Sequence, residues 1–264
     1  MKKNLMALCA IGIFLGTCSH AEAQIGNRLK GIFGMDATSS DTVKSAKNVT
    51  SQSAGQEVTK LEANSAIKQA LGNGLQASIH MLSAKDGYLG DAAVKILMPE
   101  QAQKVEKALR AVGMGSLCDQ FITSMNRAAE TAVNEAGEVF VNSLSQMTIN
   151  DAYNILLSGQ EDAATSYFKT NTTAELSQRF TPVIESAMGE NNVADYWTQL
   201  TSAYNRLPLS SKVETNLTTY VTQKAIDGLF VKVADQELKI RNNLGGSRST
   251  DLLSKVFGWA DKQK

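Results

Sequence analysis

The sequence predicts an all-α protein: a multi-helix bundle of about eight to nine helices with two long central helices. Three observations carry this. Only three prolines interrupt the 264 residues, where average usage would give roughly 13. From about residue 60 onward, apolar side chains recur at spacings of three and four, the pattern of a single helical face. Only Val94-Lys95-Ile96 hints at a strand, and a lone strand has nothing to pair with.

The elements follow in order. Ile67, Leu71, Leu75, Ile79 and Leu82 share one face and mark a first helix. Pro99-Glu100 opens a second, because proline fits a first turn and an acid suits the positive end of the helix dipole. Val105, Leu109 and Val112 line it, and Gly113 or Gly115 ends it. Leu117, Phe121, Met125, Ala128, Ala132, Ala136, Phe140, Leu144 and Met147 then sustain one stripe. A single helix over 116–147 would be roughly 45 Å long. Its alanines would let neighbours approach closely, which places it at the centre.

Thr148-x-x-Asp151 has the form of a capping box and restarts the chain in a new direction. Two short helices are expected next, 151–157 ending at Gly159 and 162–169 ending near Asn171. Thr172-x-x-Glu175 would cap another, kinked at Pro182. Val193, Tyr196, Trp197, Leu200, Tyr204 and Leu207 form a helix that must finish before Pro208. The second long helix, about 215–242, carries Leu217, Val221, Ala225, Leu229, Val233 and Ile240, and Gly245-Gly246 breaks it. Ser249 or Thr250 caps a last helix with Leu252, Leu253, Val256 and Phe257.

Ahead of the helices lies an address. Met1-Lys2-Lys3 is a positive start, residues 5–16 are uncharged and mostly apolar, and Ala21-x-Ala23 is the small-x-small pattern of a signal-peptidase site. The reading is export to the periplasm or cell envelope, with residues 1–23 removed and Gln24 as the mature start. A rival is a lipoprotein signal, Leu15-Gly16-Thr17-Cys18, with a lipid on Cys18. The apolar stretch is short of the about 20 residues that span a membrane, and no later segment reads as a span. Residues 24–57 are expected to form a flexible leader, polar and small over 36–57. Residues 58–264 are read as a single helical domain.

Equal numbers of basic and acidic residues, 26 of each, remove the simplest case for nucleic acid, which needs clustered Lys and Arg. Cleavage after Ala23 would leave Cys118 as the sole cysteine and His80 as the sole histidine. No internal disulfide follows, no zinc set assembles from two such residues, and no metal or cofactor is expected. Gly72-Asn-Gly74-Leu-Gln-Ala77 matches a dinucleotide turn in letters only, because helix precedes it. Asp86-Gly87-Tyr88-Leu89-Gly90-Asp91 lacks calcium-loop spacing and reads as a turn between helices.

The most unusual polar cluster is Asn126, Arg127 and Glu130 within the 116–147 stripe, three and four residues apart on one turn. Lys224, Asp227, Glu237 and Arg241 on the second long helix are its candidate partners. Two accounts remain open: an interhelical network without a ligand, and a pocket for a ligand or partner.

Several segments together resemble a bacterial family filed as domain of unknown function 4197. They are Asp86-Gly-Tyr88, Lys95-Ile-Leu-Met-Pro-Glu100, Ser124-Met-Asn-Arg-Ala-Ala-Glu130, Asp162-Ala-Ala-Thr-Ser-Tyr-Phe168, Lys224-Ala-Ile-Asp-Gly-Leu-Phe230 and Thr250-Asp-Leu-Leu-Ser-Lys-Val-Phe-Gly258. The resemblance covers about residues 60–258 and implies an exported helical envelope protein with no assigned activity.

The functional expectation is a non-catalytic binding or scaffold protein of the periplasm or cell envelope. It would bind an unknown envelope protein or a small ligand, with membrane association only if Cys18 is lipidated. The alternative is a carboxylate-based hydrolase, with Glu130 or Asp227 as general base and Arg127 or Lys224 steadying an anion.

Overall fold

Thr59 starts the first helix through a reciprocal capping box with Glu62, in which the Thr59 hydroxyl accepts from Glu62 N–H while the Glu62 carboxylate accepts from Thr59 N–H. In the computed structural model, which describes residues 58–206 and 216–263, this helix, α1, runs Lys60–Ser83. It is followed by α2 (Gln103–Ala111), α3 (Gly115–Ala132), α4 (Ala136–Gln146), α5 (Ile149–Leu157), α6 (Ala163–Glu190), α7 (Val193–Tyr204), α8 (Leu217–Arg241) and α9 (Asp251–Ala260). The all-α reading holds: the described residues contain these nine α-helices, three short 3-10 turns and no strand. The expected signal sequence, Cys18, the 24–57 leader and the stop at Pro208 lie outside the described residues.

Two expectations are corrected. The 116–147 stripe is α3 and α4 joined by a 3-10 turn, Val133–Glu135. A 3-10 turn advances about 20° more per residue than an α-helix, roughly 60° over three residues, which a broad apolar stripe absorbs. The pitch change therefore leaves no mark in the spacing. It falls where α1, α6 and α8 all pack against the turn, and Ala128, Ala132, Val133 and Ala136 are fully enclosed there.

The second correction is the predicted break at Asn171 and cap at Thr172. Residues Ala163–Glu190 form one 28-residue helix that continues through Pro182. The polar residues that resemble a stop signal turn their side chains back onto the preceding turn. Thr172 Oγ1 donates to Phe168 C=O at 2.7 Å and Asn171 Nδ2 to Tyr167 C=O at 2.7 Å. Such back-bonding lets short polar side chains sit inside a helix. The Thr148 capping box and the Thr250 cap form as expected.

The long α6 packs along α8, and α8 also meets α1 and α3. Phe140, Phe168 and Phe230 meet edge to face between α4, α6 and α8. Phe121 stacks on Trp197 with ring centroids 5.4 Å apart, fastening α7 to α3. Cys118 is fully enclosed, and burial pushes its thiol up, which suits a small hydrophobe and not a nucleophile. No helix among the described residues is long and apolar enough to cross a membrane.

Candidate functional site

Between α1 and α2 the chain folds through successive turns at 84–94 and then runs outside any turn or helix to Pro99. Gly87 is required at the first turn: a Cβ there would strike the carbonyl oxygens of Met81 and Leu82. This connection uses the Asn126, Arg127 and Glu130 cluster as its anchor. Asn126 Nδ2 donates to Ile96 C=O at 2.8 Å, and its Oδ1 accepts from Ile96 N–H at 2.9 Å. Glu130 Oε1 accepts from the N–H groups of Tyr88 and Leu89 at 3.2 and 3.3 Å. Its Oε2 pairs with Arg127 at 2.5 Å, and Arg127 reaches on to Asp86 at 2.6 Å.

The candidate partners of this cluster are thus elsewhere. Lys224, Asp227, Glu237 and Arg241 make no ion pair with it among the described residues; its partners come from the 86–96 connection. A backbone N–H carries no residue-type signal, so sequence patterning cannot nominate it.

Tyr88 is the plug of the connection. Its ring is fully buried against α8 and its hydroxyl donates to Ala225 C=O at 2.7 Å. Burial pushes the phenol well above its usual range, and the Glu130 charge adds to the shift. Gly228 makes room for it, since a Cβ at that position would lie 2.8 Å from Tyr88 Cε1 and 3.2 Å from Val94 Cβ.

Glu237 and Arg241 form a second, separate anchor. Glu237 is 5% exposed and accepts from the N–H groups of Ala164 and Thr165 at 2.9 and 2.8 Å and from Thr165 Oγ1 at 2.8 Å. It is the N-terminal cap of α6 delivered from another helix, and Asp162 makes no side-chain cap of its own. Arg241 pairs with Glu237 and donates to Ile155 C=O at 3.0 Å, so α5, α6 and α8 meet at one buried ion pair.

Lys224 and Asp227 stand apart from both anchors and line an open groove of about 500 Å³. One wall is formed by residues of 93–103, including Lys95, Leu97, Met98 and Glu100; the other is the face of α8 that carries Tyr220, Lys224, Asp227, Gly228 and Val231. Tyr220 donates its hydroxyl to Leu97 C=O at 2.9 Å, and the Lys224 ammonium lies 6.0 Å from the Tyr220 ring centroid. Burial raises the Tyr220 phenol, with Glu100 adding its charge. Lys95, Glu100, Lys224 and Asp227 make no ion pair among the described residues. Two positive and two negative charges therefore line the groove without forming ion pairs, beside the exposed apolar side chains of Leu97 and Val231.

The predicted residues fall in three places, and two of these meet at the 84–98 connection. Asn126 and Glu130 hold the back of the 84–98 connection, whose front is one wall of the groove, while Lys224 and Asp227 belong to the other wall. The 93–103 wall was missed at the sequence level as a functional surface, although Lys95-Ile-Leu-Met-Pro-Glu100 is among the segments that carry the family resemblance. Among the described residues, no three His, Cys, Asp or Glu side chains converge as metal ligands would.

A family described as "Protein of unknown function (DUF4197)" matches residues 57–258. No curated protein matches, and no solved structure matches.

Proposed function

We propose, for a chain that belongs to the DUF4197 family, the role of an exported, non-catalytic binding protein of the periplasm or cell envelope. Its contact surface is the groove between the 93–103 wall and α8. The observation that carries this reading is the set of four unpaired charges around an open, part-apolar groove. Export is supported by Met1-Lys-Lys, the apolar 5–16 stretch and the Ala21-x-Ala23 site.

The chemistry of Glu130 weighs against the hydrolase alternative. The carboxylate is 5% exposed and both of its oxygens are engaged by Tyr88, Leu89 and Arg127, so a general base there would have little access to a substrate. Lys224 and Asp227 are open to the groove, where Glu100 is a second carboxylate but no serine, threonine, cysteine or histidine is among the lining residues.

The test is native mass spectrometry of the protein isolated from the envelope of its host, compared with the Lys224→Glu, Asp227→Lys double variant. A bound molecule or protein present on the first and lost from the second is the expected result. Equal retention would remove the groove from the reading, and recovery from the cytosol with residues 1–23 intact would remove export.

A further inference from the structure

We propose that the groove takes an extended stretch of a partner polypeptide, added as a strand along the 95–98 backbone. The proposal rests on the reading of the groove as the contact surface and specifies its ligand. The starting observation is that the N–H and the C=O of Ile96 both meet the amide of one side chain, Asn126. Both groups of one residue point the same way only in extended backbone, so Asn126 acts on this segment as a neighbouring strand would.

In extended backbone the hydrogen-bonding groups alternate sides from residue to residue. The Lys95 C=O and the Leu97 N–H, which share planar trans peptides with those two Ile96 groups, therefore face away from Asn126, toward α8, while the Lys95 N–H is tied back into the preceding turn by Asp91 C=O at 2.8 Å. The bond from Tyr220 on α8 to Leu97 C=O confirms that direction. The Leu97 N–H and the Lys95 C=O have no hydrogen-bond partner among the described residues. The Leu97 side chain is 56% exposed and does not seal them. One edge of a strand-like segment is thus satisfied from behind, and the other is left open on a groove at two groups, the Lys95 C=O and the Leu97 N–H, with Tyr220 holding the Leu97 C=O beside them. That is the arrangement in which a peptide adds to a sheet edge, main chain giving affinity and alternate side chains giving selectivity.

The walls describe the occupant. Lys95 and Lys224 call for acidic side chains and Glu100 and Asp227 for basic ones, while Leu97 and Val231 offer apolar contact between them. The matching segment alternates apolar residues with charges of both signs. Nucleic acid and polyphosphate, carrying one sign only, fit this lining poorly.

The experiment is selection of phage-displayed random dodecapeptides on the intact protein, with selected sequences remade as end-capped, fluorescently labelled peptides and measured by anisotropy. Peptides with the described alternation are expected. N-methylation at the one peptide position whose N–H meets the Lys95 C=O should weaken binding about tenfold, and methylation at the adjacent positions should not. Leu97→Pro, which removes the open N–H where Ile96 is already extended, should weaken binding similarly. Should that variant fold poorly, the N-methylated peptides on the unaltered protein still decide. Binding indifferent to N-methylation at every position overturns strand addition. So does selection that recovers nothing beyond what the Lys224→Glu, Asp227→Lys variant recovers. If mass spectrometry then finds a small molecule that the double variant loses, the groove reading stands and the peptide proposal alone falls.

Discussion

Replacing Glu237 by alanine tests the buried anchor at the start of α6. The substitution strips the N–H groups of Ala164 and Thr165 of their acceptor and leaves Arg241, 9% exposed, with only Ile155 C=O for its guanidinium. Stranding one member of a buried ion pair costs about 3–5 kcal/mol. Each orphaned N–H would cost about 1–3 kcal/mol by itself, but water entering the vacated space serves several groups at once, so the costs do not add. A total of about 4 kcal/mol is expected, against a net stability of about 5–15 kcal/mol for a typical domain. In a domain of this size that corresponds to a fall in Tm of roughly 8–16 °C. Urea unfolding followed by circular dichroism at 222 nm measures it. The double variant Glu237→Ala, Arg241→Met should recover part of the loss, because the stranded charge goes with it. A loss below about 1 kcal/mol in the single variant, or no recovery in the double, would refute the assignment of Glu237 as the cap that holds α5, α6 and α8 together.

Three further outcomes are expected. Gly228→Ala should destabilise by about 1–3 kcal/mol despite alanine's better helix propensity, since its Cβ would lie 2.8 Å from Tyr88 Cε1; a stabilised variant in the same urea assay would refute the close fit. Asn126→Ala should abolish slow hydrogen exchange at the Ile96 amide while leaving α6 amides protected, as measured by exchange with NMR detection. Glu62 is held at about 2, below its ordinary 4.5, chiefly by its bond to Lys255 and then by Thr59. A depressed carboxylate stabilises the fold above its unfolded value and loses that contribution as pH falls toward 2. The Tm difference between the unaltered protein and Glu62→Gln should accordingly shrink between pH 5 and pH 2.

Local chemistry accounts for the parts of the fold that were legible. The Thr148 box closes within three residues, and the Thr250 hydroxyl meets Leu253 N–H, so neither needs tertiary context. Thr172 shows the limit of that logic. Its hydroxyl can cap a new helix or bond the turn behind it, and only its burial in the folded chain selects the second. Of the candidate site residues, Lys224 and Asp227 were legible as polar positions on an apolar helix and do line the groove. Asn126, Arg127 and Glu130 were legible as a cluster, but their partners were not.

By itself the sequence determined the all-α class, most helix ends and the family, because periodicity, capping and segment order are local properties of the chain. Tertiary structure alone decided that Asn126 serves as a strand for Ile96, that Glu237 caps a helix more than 70 residues away in sequence, and that four charges meet around one groove. Each of those depends on backbone groups or on side chains from distant segments, and an N–H or C=O looks the same at every position until the fold gives it a direction.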